Sequence, residues 1–278
     1  MTILVTGVRG RVGRAVLDQL LAGGEAVRAA SSSPGELDLP EGVEGVRFGD
    51  GGAEALPAAL AGVRKVFLYA VRGGVADFVA AAKEAGVEHV VLLSSLSVES
   101  QDAETDVIAR SHLVVEQALS ASGIDWTFVR PGAFATNTLQ WSGPIRAERR
   151  VRLAYPEAYG EPVHESDIAE VSVRALLEDG HRNTAYRVLG PESLSSRQQV
   201  EQIADAIGEP VAVTPISHQQ QRDELLRFLP GPVTDTLLSY QARRDGVPGK
   251  PEGDVQAVLG RPARPFAQWA WEHAEAFR

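Results

Sequence analysis

The run Ile3-Leu4-Val5-Thr6-Gly7-Val8-Arg9-Gly10-Arg11-Val12-Gly13-Arg14 constrains the fold of this chain more than any other stretch. A short apolar segment ends in a glycine-rich turn, and apolar residues then recur at Val12, Val16, Leu17, Leu20 and Leu21 with helical spacing. The order is strand, tight loop, helix. The three glycines act differently, since Gly7 lets the chain turn off the strand, Gly10 lets backbone N–H groups approach a pyrophosphate, and Gly13 lets the helix pack closely on the sheet. The helix N-terminus then presents free donors and a partial positive charge to the phosphates. The spacing Gly-x-x-Gly-x-x-Gly has a first gap one residue longer than the common dinucleotide fingerprint, yet it lies between a clean strand and a clean helix, as a nucleotide loop must.

The remaining chain repeats the alternation. Strands are expected at Ala26–Ala30, Val43–Phe48, Lys65–Ala70, His89–Leu93 and Asp125–Val129, with helices over about 53–60, 75–85 and 105–122 between them. Right-handed crossovers make this a parallel, doubly wound α/β sheet with its strand ends on one edge. Beyond Gly132 the rhythm breaks. The segment from Ala133 to Ala154 reads as irregular, Val163–Asp167 opens a helix to about Leu177, and Ala185–Leu189 is a strand that can rejoin the sheet. We therefore assign 1–134, rejoined by about 163–190, to the dinucleotide-binding domain, and 135–162 with 191–278 to a small C-terminal substrate lobe.

A net charge of −10 argues against nonspecific binding to nucleic acid or to an anionic membrane. The first apolar run is the strand itself and no run is long enough to span a bilayer, so a cytoplasmic protein without a membrane or nucleic-acid partner is expected, as a monomer or homodimer. With no cysteine, thiolate nucleophiles and cysteine metal sites are excluded. His164, Glu165 and Asp167 suggest a metal site on paper, but carboxylates at a helix start are expected to cap it, and no metal is assigned.

Where the second strand ends, an acid would accept from the adenosine ribose 2′-hydroxyl and repel a 2′-phosphate. Ser31-Ser32-Ser33 stand there, with no acid before Glu36. These hydroxyls, joined by Arg9 and Arg11, favour NADP (NADPH) over NAD; the alternative is a polar loop with solvent-facing arginines. Asp50 could accept from the adenine amino group or cap the following helix. Ala70 and Val71 leave the fourth strand at the edge where ligands of such sheets sit.

Val5–Gly13, Gly49-Asp50, Leu93-Ser94-Ser95, Ser122–Gly132 and Asp167-Ile168-Ala169 together resemble the NmrA-like branch of the atypical short-chain dehydrogenases/reductases. The resemblance covers roughly the first two-thirds of the chain and implies a Rossmann sheet. It places Gly7, Arg9, Gly10, Arg11, Val12, Gly13, Ser31, Ser32, Asp50, Ala70, Val71 and Pro131 at the cofactor. Members include quinone, azo and ether reductases and dinucleotide-binding regulators without turnover. The superfamily's Tyr-x-x-x-Lys pair is missing: by the resemblance Ile108 stands at the tyrosine position and His112 at the lysine position. His112 could act as acid or ribose ligand, or be a surface histidine. Ser94 and Ser95 could orient a substrate oxygen, or start a loop. Phe134, Asn137 and Trp141 are expected to clamp a planar, aromatic or quinone-like substrate; packing into a core is the alternative. Function is read as NAD(P)H-dependent reduction of a flat, apolar carbonyl or quinone, with a dinucleotide-binding regulator or a non-redox catalyst as alternatives.

Overall fold

The structure is a computed structural model and describes residues 2–49, 53–69 and 74–278. The first half runs β1 (Thr2–Thr6), α1 (Arg11–Ala22), β2 (Ala26–Ser31), β3 (Glu44–Arg47), α2 (Leu56–Leu60), β4 (Val63–Tyr69), α3 (Val75–Ala85), β5 (His89–Leu93), α4 (Val107–Ser120) and β6 (Asp125–Pro131). α5 (Ser142–Glu148), β7 (Arg150–Leu153), the short β8 (Tyr159–Gly160) and α6 (Glu165–Leu177) follow, and β9 (Thr184–Val188) then pairs with β6. Among the described residues the main sheet has seven strands in the order β3-β2-β1-β4-β5-β6-β9, and all of its pairings are parallel. The order reverses between β1 and β4, and ligands of open α/β sheets bind outside the carboxyl ends of the strands at such a point.

The strand alternation sorts side chains onto two faces. Ile3 and Val5 of β1, Val91 and Leu93 of β5 and Val129 of β6 pack with α1 and α6, while Leu4, Val90, Leu92 and Phe128 pack with α2, α3 and α4. Burial on both faces explains why these strands read as continuous apolar runs. The chain ends with β10 (Leu194–Ser195), α7 (Ser196–Ile207), β11 (Ala212–Pro215), α8 (His218–Leu225), α9 (Gly231–Arg244), α10 (Val255–Leu259) and α11 (Phe266–Glu272). A third core gathers Ile145, Val151, Leu153, Val200, Ile203, Phe266 and Trp269. α10 instead packs on α6, adding Val255, Val258 and Leu259 to the first core.

Three local expectations change. The stretch after Gly132 is regular, with a 3₁₀ turn over Ala135–Trp141, then α5 and β7; β7 finds its partner β11 some sixty residues away, which short-range periodicity does not reveal. The helix expected over 53–60 divides into a 3₁₀ turn at Ala53–Ala55 and α2, with Pro57 at its start. α4 begins at Val107 because Asp106 accepts from the Ile108 and Ala109 N–H groups, each at 2.9 Å, and so caps it.

Candidate active site at the carboxyl edge of the sheet

The glycine loop has the geometry that a dinucleotide needs. Gly7 adopts φ 69°, a left-handed conformation, and a Cβ there would lie 3.0 Å from the Tyr69 Cβ. Thr6 Oγ1 accepts from the Tyr69 N–H at 2.6 Å and so ties β1 to β4 at the switch point. Gly10 donates its N–H to the Gly7 carbonyl at 2.8 Å and caps α1 without offering a side chain, which leaves first-turn N–H groups to a ligand. A Cβ at Gly13 would stand 2.3 Å from the Gly7 oxygen and 2.9 Å from the Thr6 oxygen, so this glycine seats α1 on its own loop and the end of β1. Val12 is buried in the first core.

Beside the loop lies a cleft of about 670 Å³, bordered by Arg9, Arg11 and Arg14 on one side and by Glu36, Asp38 and Glu165 on others. Arg9 donates to Glu36 Oε2 at 2.5 Å and to the Ser33 carbonyl at 3.2 Å. Arg14 is occupied by Asp18 at 2.9 Å and by the Asp38 carbonyl at 2.9 Å. Ser31 Oγ accepts from the Ser33 N–H at 3.2 Å, and Ser32 is half-buried beside it. Arg11 is exposed at the cleft's rim. Asp50, Ala70 and Val71 lie outside the described residues.

At the β5 end the two serines part company. Ser94 is buried and donates its hydroxyl to Glu116 Oε1 at 2.6 Å. Glu116 also receives Arg130 through two contacts, Nε to Oε1 at 3.0 Å and Nη2 to Oε2 at 2.6 Å; Arg130 reaches Glu99 at 3.0 Å, and Glu99 meets Arg187 at 2.7 Å. The hydrogen bond to Glu116 raises Arg130 above the ordinary guanidinium range. This chain of charge-assisted bonds joins β5, α4, β6 and β9, so the expectation that Ser94 orients a substrate gives way: its proton is committed to a carboxylate. Ser95 is half-buried and accepts from the Ser97 N–H at 3.2 Å, capping the 3₁₀ turn Leu96–Glu99. His112 is half-buried on α4, one turn before Glu116. Pro131 is buried at the end of β6, opposite Val188.

Tyr240 of α9 donates its phenol to Asp106 Oδ2 at 2.6 Å, and burial together with this bond raises its pKa well above the ordinary phenol value. Nothing in the sequence links these two residues, which are 134 positions apart. Glu116, by contrast, had a signal: it falls seven residues after Ala109 and three before Leu119, on the buried stripe of α4.

The expected aromatic clamp is not formed as a single unit. Phe134 is half-buried against the first core, Trp141 is half-buried against the third, and Asn137 is exposed between them. Each ring follows the core nearest to it, so the packing alternative describes both.

The cap of α6 is also a correction. His164 itself caps the helix, its Nδ1 accepting from the Ser166 N–H at 3.1 Å, which leaves the ring proton on Nε2 for Glu272 Oε2 at 3.0 Å. Glu165 accepts from the Trp269 indole at 2.9 Å and from His273 Nε2 at 3.0 Å. His273 Nδ1 donates to the Trp269 carbonyl at 2.9 Å, so both ring nitrogens face acceptors and the imidazolium is favoured. Its hydrogen bond with Glu165 accordingly raises the His273 pKa. Asp167 is fully buried and accepts from the Arg264 N–H at 2.7 Å and from Arg261 at 2.7 Å. Among the described residues no group of three or more histidine, aspartate or glutamate side chains is arranged to hold a metal ion, and no described helix is long and apolar enough to cross a membrane.

Residues 7–179 match the NAD(P)H-binding family, a span that opens at the glycine loop. The chain belongs to that family. It is 41% identical over 280 residues to the (4-alkanoyl-5-oxo-2,5-dihydrofuran-3-yl)methyl phosphate reductase of Streptomyces griseus, covering 99% of both chains. It is 34% identical over 230 residues to the NAD(P)H azoreductase of Xenophilus azovorans, covering 80% of this chain and 79% of that one. In fold it matches the NADPH-dependent quinone oxidoreductase of Escherichia coli, solved in complex with NADPH, with a TM-score of 0.81 at 21% identity over 98% of this chain and 99% of that one. The NAD(P)H-binding family is thus represented by reductases among its relatives, and the resemblance read from the sequence holds at the level of this family.

Proposed function

We propose that this member of the NAD(P)H-binding family is a cytoplasmic, NADPH-dependent reductase of a small, flat, conjugated carbonyl compound. The observation that carries the reading is the full-length similarity to a reductase whose substrate contains a 2,5-dihydrofuranone ring, combined with a glycine loop in which Gly10 puts no side chain between the cleft and the first turn of α1. A dihydrofuranone and a quinone share one chemistry: a polarised double bond that takes a hydride at carbon while the conjugated oxygen takes a proton. The nicotinamide, when bound, supplies the hydride.

The chain's own part is to bind, orient and exclude water. First-turn N–H groups of α1 hold the pyrophosphate, and Arg9 with Arg11 attracts the 2′-phosphate. Ser95 and His112, at the carboxyl edge of β5 and on α4, are the groups assigned to the substrate oxygen or ribose. The lobe formed by 135–162 and 191–278 covers the reacting face. An acylated furanone or a quinone leaves a stabilised oxyanion after hydride addition, so the tyrosine replaced by Ile108 is not required.

The test has two steps. Calorimetry should give NADPH a dissociation constant about tenfold or more below that of NADH, since one charge-assisted contact to phosphate contributes about 1.5–3 kcal/mol. NADPH oxidation should then be saturable with an acylated 2,5-dihydrofuranone or a quinone. Tight NADPH binding with no turnover across both classes would replace the enzyme with a dinucleotide-responsive binding protein.

A further inference from the structure

The first turn of α4 has isoleucine where the resemblance puts a tyrosine, but the fold brings a phenol to that turn from the lobe. Tyr240 of α9 donates to Asp106 Oδ2 at 2.6 Å, while Asp106 Oδ1 accepts from the Ile108 and Ala109 N–H groups and caps α4. The Ser97 hydroxyl is hydrogen-bonded to Tyr240 as well, and Ser97 Oγ lies 2.9 Å from Ser95 Oγ at the carboxyl edge of β5. We propose that Ser95, Ser97, Tyr240 and Asp106 form a relay that carries a proton between water and the substrate oxygen, with Tyr240 as the link supplied by the lobe. The relay rests on the reductase reading and on Ser95 meeting the substrate oxygen; Tyr240 acts on the substrate only through Ser95.

The polarity of the chain follows from counting protons. Tyr240 has one and gives it to a carboxylate, so its oxygen accepts from Ser97, and Ser97 in turn accepts from Ser95. Ser95 also accepts from the Ser97 N–H at 3.2 Å, which leaves a lone pair for a ligand. Every O–H of the chain therefore points toward Asp106. A proton taken from water by the half-buried Asp106 reverses these bonds and turns the Ser95 O–H toward the ligand. Hydride addition to the substrate carbon moves the double-bond pair onto oxygen. That oxygen takes the Ser95 proton, Ser95 takes one from Ser97, Ser97 from Tyr240, and Tyr240 from Asp106, which ends ionised as it began. NADPH supplies the hydride and water the proton, so the exchange balances. Burial, then the bond to Asp106, holds the phenol protonated, so it gives up a proton only as it receives another. Ser94 differs, because it ends on Glu116, which is buried and bound to Arg130, whereas Asp106 reaches water.

The experiment follows NADPH oxidation in single turnovers of the full-length protein and of its Tyr240→Phe, Asp106→Asn and double variants. The probe is whichever of an acylated 2,5-dihydrofuranone and a quinone the wild type reduces. Phenylalanine keeps the ring beneath Arg243, whose Cζ lies 5.2 Å from its centroid, and asparagine keeps an acceptor for the α4 cap, so native circular dichroism is expected of each. Each single variant should slow oxidation about tenfold or more, and the double variant no further than the slower single, since either change cuts the same chain. NADPH dissociation constants by calorimetry should stay within about twofold of the wild type, because no relay group binds the dinucleotide. In mixtures of H2O and D2O the wild-type rate should curve with deuterium fraction, several protons moving together, and the Tyr240→Phe rate should fall linearly. A Tyr240→Phe protein at the wild-type rate overturns the relay and leaves the reductase reading standing. So does one that is slower but keeps the wild-type curvature, or whose loss adds in full to that of Asp106→Asn, because those results describe a structural contact. A wild type that oxidises NADPH with neither substrate class overturns the reductase reading and the relay with it.

Discussion

The glycine loop and the β5–α4 edge both carry an arginine on a glutamate, and they differ in what surrounds the pair. At the loop, Arg9 and Glu36 have side chains 47% and 73% exposed; at the edge, Arg130 and Glu116 are 20% and 5% exposed, and Glu116 also takes the Ser94 hydroxyl. Water screens the first pair and can replace either partner, so its charges are available to a ligand. The second pair lies where water cannot compensate, and the same contact there fixes strand ends relative to α4. One type of interaction is thus screened by water in one region and rigidifying in the other, and burial decides which.

The strongest way to break this comparison is to remove a carboxylate from each. Glu116→Ala leaves Arg130 half-satisfied and Ser94 without an acceptor, and is expected to cost about 3–5 kcal/mol in unfolding free energy. Glu36→Gln should cost only about 0–1 kcal/mol, as exposed pairs do. Urea denaturation of both variants decides it, and losses of similar size would show that burial is not the controlling variable.

These two pairs also mark what could be read from the sequence. The loop, its helix and the alternation of Ile3 and Leu4 between faces follow from local spacing, because glycine placement and side-chain period act over a few residues. The capping box of Ser195 with Gln198 at the start of α7 was equally local. Glu116 carried a helical-period signal, but its partners Ser94 and Arg130 come from two strands and are set by the sheet order. Arg9 and Glu36 are 27 residues apart and meet only because the Pro34–Glu36 turn folds back. Phe134 and Trp141 were paired by nearness in the chain, whereas the fold assigns them to different cores. The sequence points to the carboxylates at the start of α6 as its cap, whereas His164 supplies it, because Glu272 holds its Nε2 proton and frees Nδ1 to accept.

A buried histidine whose hydrogen-bond partner is a hydroxyl sharpens the comparison from the other side. His89 is 2% exposed at the amino end of β5 and faces Thr127 Oγ1 at 2.9 Å; Thr127 gives its own proton to the His181 carbonyl, so His89 must be the donor. Burial first, then the nearby cations Arg182 and Lys65, lowers its pKa from 6.5 to about 4. The unfolded chain therefore binds the proton that the folded chain refuses between those values. The stabilisation is complete above pH 6.5 and is lost as pH falls toward 4, amounting to roughly 3 kcal/mol. Denaturation at pH 7.5 and pH 4.5 should show that His89→Gln loses less stability on acidification than the wild type does, by about this amount. Identical pH slopes would mean that His89 is protonated at no cost in the fold.

The smallest expected effect on stability falls within the loop itself, where two glycines three residues apart should behave differently. A Cβ at Gly13 would lie 2.3 Å from the Gly7 carbonyl oxygen, so Gly13→Ala must displace backbone and should destabilise the fold. A Cβ at Gly10 would meet only that same oxygen, at 3.3 Å, and Gly10 has φ −84° and ψ 156°, a conformation open to any residue. Gly10→Val should therefore change unfolding free energy by less than about 1 kcal/mol, in the range of an unstrained surface change. Its branched side chain would still stand on the cleft side of the α1 N-terminus, in the space a pyrophosphate needs to reach the first-turn N–H groups. NADPH affinity should fall about a hundredfold or more, since the binding site loses its closest backbone approach. Calorimetry beside a thermal melt separates the two effects. If Gly10→Val melts like the wild type and still binds NADPH, the loop is an ordinary strand-to-helix turn.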